Sequence, residues 1–280
     1  MWEDERNGTS DVFRWDLVVG VESQIVTGPA FQGFPDISGG RVVWGYQDLV
    51  DQQIKLRDVI LGGPVITLSA ASRAGQFEPA VSGNIVVWDA FTFGPSEIFL
   101  FDLRAPGERM ITDPFDGLDA FCPDVGSGHV VWLEPVFGGG GVPVSHNLVV
   151  FSRAMDGIVK RITVASRKGC PAISGLRVVW ADNRSGNFDI YMLDLNTMIE
   201  QAIVTGPAVQ TEPATDGGRV VWRDHRNGNG DIYMLDLSSM TETQITSNSA
   251  LQFEPAISGT VIVWTDRRNG NDDIYMARIP

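Results

Sequence analysis

Residues 212–237 read EPATDGGRVVWRDHRNGNGDIYMLDL. A proline-bearing stretch ends at a Gly-Gly turn and is followed by the β-branched run Val220-Val221-Trp222. An Asn- and Gly-rich turn then leads into Asp231-Ile232-Tyr233-Met234-Leu235, where apolar residues alternate in the two-residue period of a strand. Closely similar strings recur at 170–195 and 254–279, and residues 2–17, WEDERNGTSDVFRWDL, are the same unit entered at its Trp. Aligned on tryptophan, seven segments fall into register at Trp2, Trp44, Trp88, Trp132, Trp180, Trp222 and Trp264, spaced 42, 44, 44, 48, 42 and 42 residues apart. The chain is a repeat array.

Each unit parses into four short strands. Strand A is the Pro-Ala-Ile-Ser stretch, strand B the Val-Val-Trp run, strand C the Asp-Ile-Tyr-Met run, and strand D a Thr-Gln-Ile-Thr relative such as Glu242–Thr246. A period near 42 residues with four strands per unit predicts an all-β chain folded as a β-propeller, one blade per unit. Residues 1–280 are expected to form a single propeller domain. The recurring Trp, flanked by Val, are expected to fill the core between blades rather than form a ligand platform.

Composition narrows the function classes. Of 280 residues, 35 are acidic and 21 basic, giving a formal charge of −14 that would repel phosphate backbones, so no nucleic-acid partner is expected. No apolar run approaches the roughly 18 residues of a membrane span, and no membrane insertion is expected. The opening residues lack the basic-then-apolar pattern of a signal peptide, consistent with a mature or trimmed chain if the protein is exported. The 31 Gly and 15 Pro now read as turn residues at fixed repeat positions.

The strand-A Pro, the Asp-x-Arg-x-Gly hairpin (Asp182-Arg184-Gly186, Asp224-Arg226-Gly228, Asp266-Arg268-Gly270) and the Asp-Ile-Tyr strand resemble TolB-like propeller repeats. More specifically, the chain resembles the propeller arrays of archaeal and bacterial cell-surface proteins, over nearly all of its length. The resemblance implies a fold in which strand A lines a central channel. It implies little about function, because such blades serve many partners.

Counting strands gives six A strands, beginning near Phe34, Glu78, Cys122, Cys170, Glu212 and Glu254, but seven B–C hairpins. Six blades are favoured, with strand D at about 24–27 closing the last blade at 254–279. Residues 1–16 are then a surplus hairpin or partial blade beside a ring of 18–279. The alternative is seven blades, the first and last incomplete.

The residue before each strand-A Pro falls at an equivalent position near the channel mouth. The set Phe34, Glu78, Cys122, Cys170, Glu212 and Glu254 reads either as a cation or metal site or, preferred, as acids that hydrogen-bond turn amides. Cys122 and Cys170 are a candidate disulfide, a free pair being the alternative. The carboxylates of the Asp-x-Arg-x-Gly-x-x-Asp hairpins suggest Ca²⁺, yet each loop also holds an Arg, and turn architecture fits better. No cofactor is expected. Between Trp132 and Asn147 the B–C loop is swollen by about six residues, and its Glu134, Phe137 and His146 are candidate binding residues. Val142 adds to the apolar character of that loop, and a Cys122–Cys170–His146 metal triad is conceivable. Asn7-Gly8-Thr9 and Asn183-Arg184-Ser185 are glycosylation sequons, which with the acidic surface and only three Lys point to an extracellular or cell-surface protein.

No nucleophile elbow and no phosphate-cradling loop is present. The expectation is therefore a non-catalytic surface propeller, a structural module binding proteins or assembling with itself through its terminal strands and top-face loops, with glycan as a further partner. The alternative is a polysaccharide lyase or hydrolase using channel-mouth carboxylates, with Glu212 and Glu254 as the acid–base pair.

Overall fold

The computed structural model describes residues 1–69, 75–91, 94–113, 115–139, 141 and 143–280, and these form strands and turns without a helix. They divide into two compact units, Met1–Glu134 and Pro135–Pro280. In the first, blade 1 is β1 (Trp2–Asp4), β2 (Asp11–Asp16) and β3 (Val21–Val26). Blade 2 is β4 (Phe31–Ser38), β5 (Arg41–Gln47), β6 (Gln52–Asp58) and β7 (Ile66–Thr67). Blade 3 is β8 (Gln76–Ser82), β9 (Ile85–Phe91), β10 (Ser96–Asp102) and β11 (Ala105–Met110). The strands of blade 4, which straddle the division, are β12 (Phe121–Gly126), β13 (His129–Phe137), β14 (Pro143–Ser152) and β15 (Gly157–Ile162).

In the second unit, blade 5 is β16 (Ala172–Ser174), β17 (Arg177–Asp182), β18 (Asp189–Asp194) and β19 (Ile199–Val204). Blade 6 is β20 (Gln210–Thr215), β21 (Arg219–Asp224), β22 (Asp231–Asp236) and β23 (Thr241–Gln244). Blade 7 is β24 (Gln252–Ser258), β25 (Val261–Asp266) and β26 (Asp273–Arg278). Each blade is a meander whose strands neighbour one another in chain order.

The β-propeller therefore has seven blades, not the six favoured from strand counting. β3 pairs with β2, Trp15 opposite Glu22, and so completes blade 1 instead of closing blade 7. Residues 1–16 are no surplus hairpin but two strands of that blade. Counting A strands misled because blade 1 holds together without one. Trp2 stacks on Phe13 with centroids 6.1 Å apart, and Arg6 lies over the Phe13 ring while bridging Asp4 at 2.5 Å and Glu22 at 2.6 Å. Glu3 of β1 also reaches blade 2, where its Oε2 accepts the Phe34 N–H at 3.2 Å.

Tryptophan fills the packing between blades, as each strand-B position dictates. Trp44, Trp88, Trp132, Trp180 and Trp222 are fully buried. Within the first unit Trp88 packs with Val43, Ile54 and Leu56 of blade 2, and within the second Trp222 packs with Val179 and Ile190 of blade 5. Each buried indole contributes roughly 2–3 kcal/mol of apolar burial. Trp15, on strand C, is half exposed and lies outside this pattern.

Candidate functional site

The strand-A positions share an unusual backbone. β4, β8, β12, β20 and β24 each break register with their neighbour at one place: between Gly33 and Asp36, Phe77 and Ala80, Phe121 and Asp124, Thr211 and Ala214, and Phe253 and Ala256. The bulged residue in each is left-handed, with φ of 53° at Phe34, 46° at Glu78, 54° at Cys122, 54° at Glu212 and 51° at Glu254. A side chain costs about 1–2 kcal/mol in that conformation. The following Pro has no N–H to lose, so the bulge sacrifices little ladder bonding. Cys170 shares the sequence position but not the positive φ.

Turned out of the ladder, these backbone amides need acceptors, and for Phe34, Cys122 and Glu254 a carboxylate one blade earlier supplies one. Glu212 Oε2 accepts the Glu254 N–H at 2.8 Å, while its Oε1 pairs with Arg223 Nη1 at 2.9 Å. The Glu78 carboxylate takes the Cys122 N–H in the same way. Here the acids bind turn amides as struts between blades, and Glu212 is committed on both oxygens.

The hairpin acids are committed too. Asp224 accepts Trp222 Nε1 at 3.0 Å and the Arg226 N–H at 2.9 Å, and pairs with Arg226 Nη2 at 2.6 Å. Arg226 also pairs with Glu242 and lies over the Tyr233 ring. Asp182–Arg184–Glu200 with Tyr191, and Asp266–Arg268 with Tyr275, repeat the arrangement. Burial opposes ionisation at Asp182, Asp224 and Asp266, but hydrogen bonds from the Arg and Trp outweigh it and hold all three below the ordinary carboxylate range. Gly228, at φ 93°, closes the turn where a side chain would be strained.

The swollen B–C segment extends as two long strands, β13 and β14, and its candidates separate. Phe137 is exposed. Glu134, expected in a binding loop, is instead buried beneath Trp132, whose Nε1 donates to it at 3.3 Å, because Glu134 occupies the position of Asp182 and Asp224. His146 Nδ1 accepts the Lys168 N–H at 3.1 Å, and burial first, then nearby Lys168 and Arg167, keep its imidazole below its ordinary pKa. Val142 lies outside the described residues. Cys122 and Cys170 are each disulfide-bonded, so neither is a thiolate able to join the imagined metal triad with His146. Among the described residues no three His, Cys, Asp or Glu side chains converge as metal ligands.

Blade 3 departs from its siblings in where it places its acids. Where blades 5, 6 and 7 read Trp-x-Asp, blade 3 reads Trp88-Asp89-Ala90. The acid thus moves one position along β9, which turns it to the other sheet face. There Asp89 lies opposite Phe77 in the ladder, next to Glu78. It is buried, Ser96 Oγ donates to its Oδ2 at 3.3 Å, and its Oδ1 has no partner. Burial, then the Glu78 charge, raises Asp89 to about 7. Desolvation also raises Glu78, against the pull of the Cys122 amide. Two neighbouring carboxyls are thus both raised, Asp89 into the neutral range, an arrangement suited to paired general acid and base. No Lys, Arg or His is among the groups that shift either one. The shifted Trp-Asp spacing was the available sequence signal for Asp89, and the sequence reading passed over it.

Solved structures share this architecture. An oligogalacturonate lyase in complex with manganese aligns with a TM-score of 0.71 at 14% identity, covering 99% of this chain and 85% of that one. TolB from Acinetobacter baumannii aligns at 0.59 and 16% identity, covering 85% and 61%. The fold is TolB-like. An acylaminoacyl peptidase from Pyrococcus horikoshii aligns at 0.67 and 12% identity over 89% of this chain and 44% of its own, so this chain spans less than half of that enzyme. No protein-family model and no curated protein matches the chain. The expectation of a non-catalytic, enzyme-free module is overturned: these TolB-like neighbours include a lyase and peptidases, and the fold gives that expectation no support. No helix among the described residues is long and apolar enough to cross a membrane.

Proposed function

We propose that this chain cleaves polysaccharide by acid–base chemistry, with Glu78 and Asp89 of blade 3 as the working carboxyls. The observation that carries the reading is the neutral-range carboxyl of Asp89 beside a second raised carboxyl at Glu78. Glu212 and Glu254 are the weaker pair, because Glu212 is tied to Arg223 and to the Glu254 amide. The lyase neighbour, matched over most of both chains, supports glycan rather than peptide as substrate. An extracellular or cell-surface setting, suggested by the sequons at Asn7 and Asn183, would bring the protein to such polymers.

The test is turnover of soluble glycans, followed by reducing-end release, for wild type, Glu78→Gln and Asp89→Asn. Each variant should lose at least about a hundredfold in kcat, the usual scale of general acid–base catalysis. The wild-type profile should be bell-shaped with one limb near pH 7. Wild-type turnover in either variant would remove the proposal.

A further inference from the structure

Beside those two carboxyls lies an aromatic surface. Phe34 occupies the left-handed strand-A position that is Glu in blades 3, 6 and 7, and it is the one aromatic with positive φ among the described residues. The residue is 42% exposed, although a Phe gains most by burial. The ring is held rather than loose: Phe77 meets it edge-on with centroids 6.2 Å apart, and Phe31 tilts against it at 6.0 Å. Phe77 precedes Glu78 in the chain and faces Asp89 across the ladder. A braced, solvent-facing aromatic plane thus stands next to the acid–base pair.

The charges around it restrict the ligand. Glu3 bonds the Phe34 backbone, and Glu78 and Asp89 follow on the neighbouring blade. A uronate chain would bring further carboxylates to this ring of acids. An uncharged or amino-bearing sugar would bring the C–H face of a pyranose to the aromatic plane and hydroxyl or ammonium groups to the carboxylates.

We propose that Phe34, braced by Phe77 and Phe31, is the stacking subsite that presents a neutral or amino-bearing pyranose chain to Glu78 and Asp89. The inference rests on the polysaccharide-cleaving reading and names its substrate class.

Binding by titration calorimetry tests it with four probes: cellohexaose, the hexamers of β-1,4-linked glucosamine and N-acetylglucosamine, and a galacturonate tetramer. At least one of the first three should bind wild type, and Phe34→Ala and Phe34→Glu should each weaken it about tenfold or more. Phe34→Tyr should keep the affinity within about twofold. Phe34→Glu places in blade 2 the residue that Glu78, Glu212 and Glu254 hold at the same φ, and it should fold normally by circular dichroism. Unchanged affinity in folded Phe34→Ala, tighter binding of galacturonate than of the other probes, or no binding of any probe would each overturn the subsite. Turnover of Asp89→Asn separates the two claims. If it is lost while Phe34→Ala binds as wild type, only the subsite fails; if it is retained, the catalytic reading fails whatever Phe34 does.

Discussion

The Glu212 carboxylate reaches the next blade, where its Oε2 accepts the backbone N–H of Glu254 at 2.8 Å. That amide has been turned out of its own ladder by the bulge at Glu254, and the strut satisfies a donor that the bulge would otherwise strand. Glu212→Ala removes the acceptor and frees Arg223, and should cost about 1–3 kcal/mol in urea denaturation. Glu212→Gln keeps an acceptor and should cost less than half as much. Equal losses in the two variants would mean that the strut to Glu254 contributes nothing.

The Arg clamps give a second prediction. Asp224 is wholly buried and is held ionised by Trp222 and by Arg226, which also holds Glu242 and covers Tyr233. Arg226→Ala leaves a buried carboxylate without its cation and should destabilise by roughly 3 kcal/mol. Arg104 pairs with Asp102 at 3.3 Å on the surface, and Arg104→Ala should cost less than about 1 kcal/mol. Because the folded-state pKa values of Asp182, Asp224 and Asp266 are depressed, their contribution is present above the unfolded value of 3.8. It is lost as pH falls through the folded values. A pH series of melting temperatures should therefore drop steeply below about pH 4 in wild type and less steeply in Arg226→Ala.

The repeat made the blades legible: Trp spacing located strand B, and the Asp-x-Arg-x-Gly string located the clamps that Arg184, Arg226 and Arg268 form. Blade number was harder to read, because the sequence does not show that Glu3 on strand B supplies the strut which strand A supplies elsewhere. The candidate site was half legible. The position before each strand-A Pro marked Phe34, Glu78 and Glu212, but repetition could not separate the strut that Arg223 also holds from the one at Glu78. That separation depends on what each carboxylate meets across the interface. Asp89 is informative because it breaks the repeat, and alignment on the common pattern hides such residues.

Lys168 yields a third prediction. It stands where blades 2, 3, 6 and 7 carry Gln32, Gln76, Gln210 and Gln252, and its side chain is wholly buried. Its Nζ donates to His146 O at 2.8 Å, Val164 O at 2.9 Å and Ser166 Oγ at 2.9 Å, with Asp182 Oδ2 at 3.7 Å. Burial lowers its pKa, but three acceptors hold it in place. Lys168→Gln restores the sibling residue and an amide donor, and should change stability by less than about 1 kcal/mol. Lys168→Met strands the acceptors and should cost about 2–3 kcal/mol. Chemical denaturation of both variants checks the order.

Asp89 should make the protein less stable as the solution becomes more alkaline. Its folded-state pKa of about 7 lies above the unfolded value of 3.8, so the fold favours the protonated form. That preference contributes fully below pH 3.8 and is lost as pH rises through 7, where a buried charge forms beside Glu78. Asp89→Asn keeps the shape and removes the charge. Its stability relative to wild type should grow from pH 5 to pH 8, reach on the order of 2 kcal/mol, and level off above that. Glu97 is a comparison on the same blade: it is buried, and burial raises its pKa against the pull of the Thr112 hydroxyl. Glu97→Gln should be stabilising at pH 8 as well, but with turnover intact, whereas Asp89→Asn gains stability and loses turnover. Paired melting and rate measurements at pH 5, 6, 7 and 8 separate a carboxyl retained for chemistry from one that is merely buried. A flat stability difference for Asp89→Asn across that range would mean that Asp89 is ionised throughout, and no acid–base partner for Glu78.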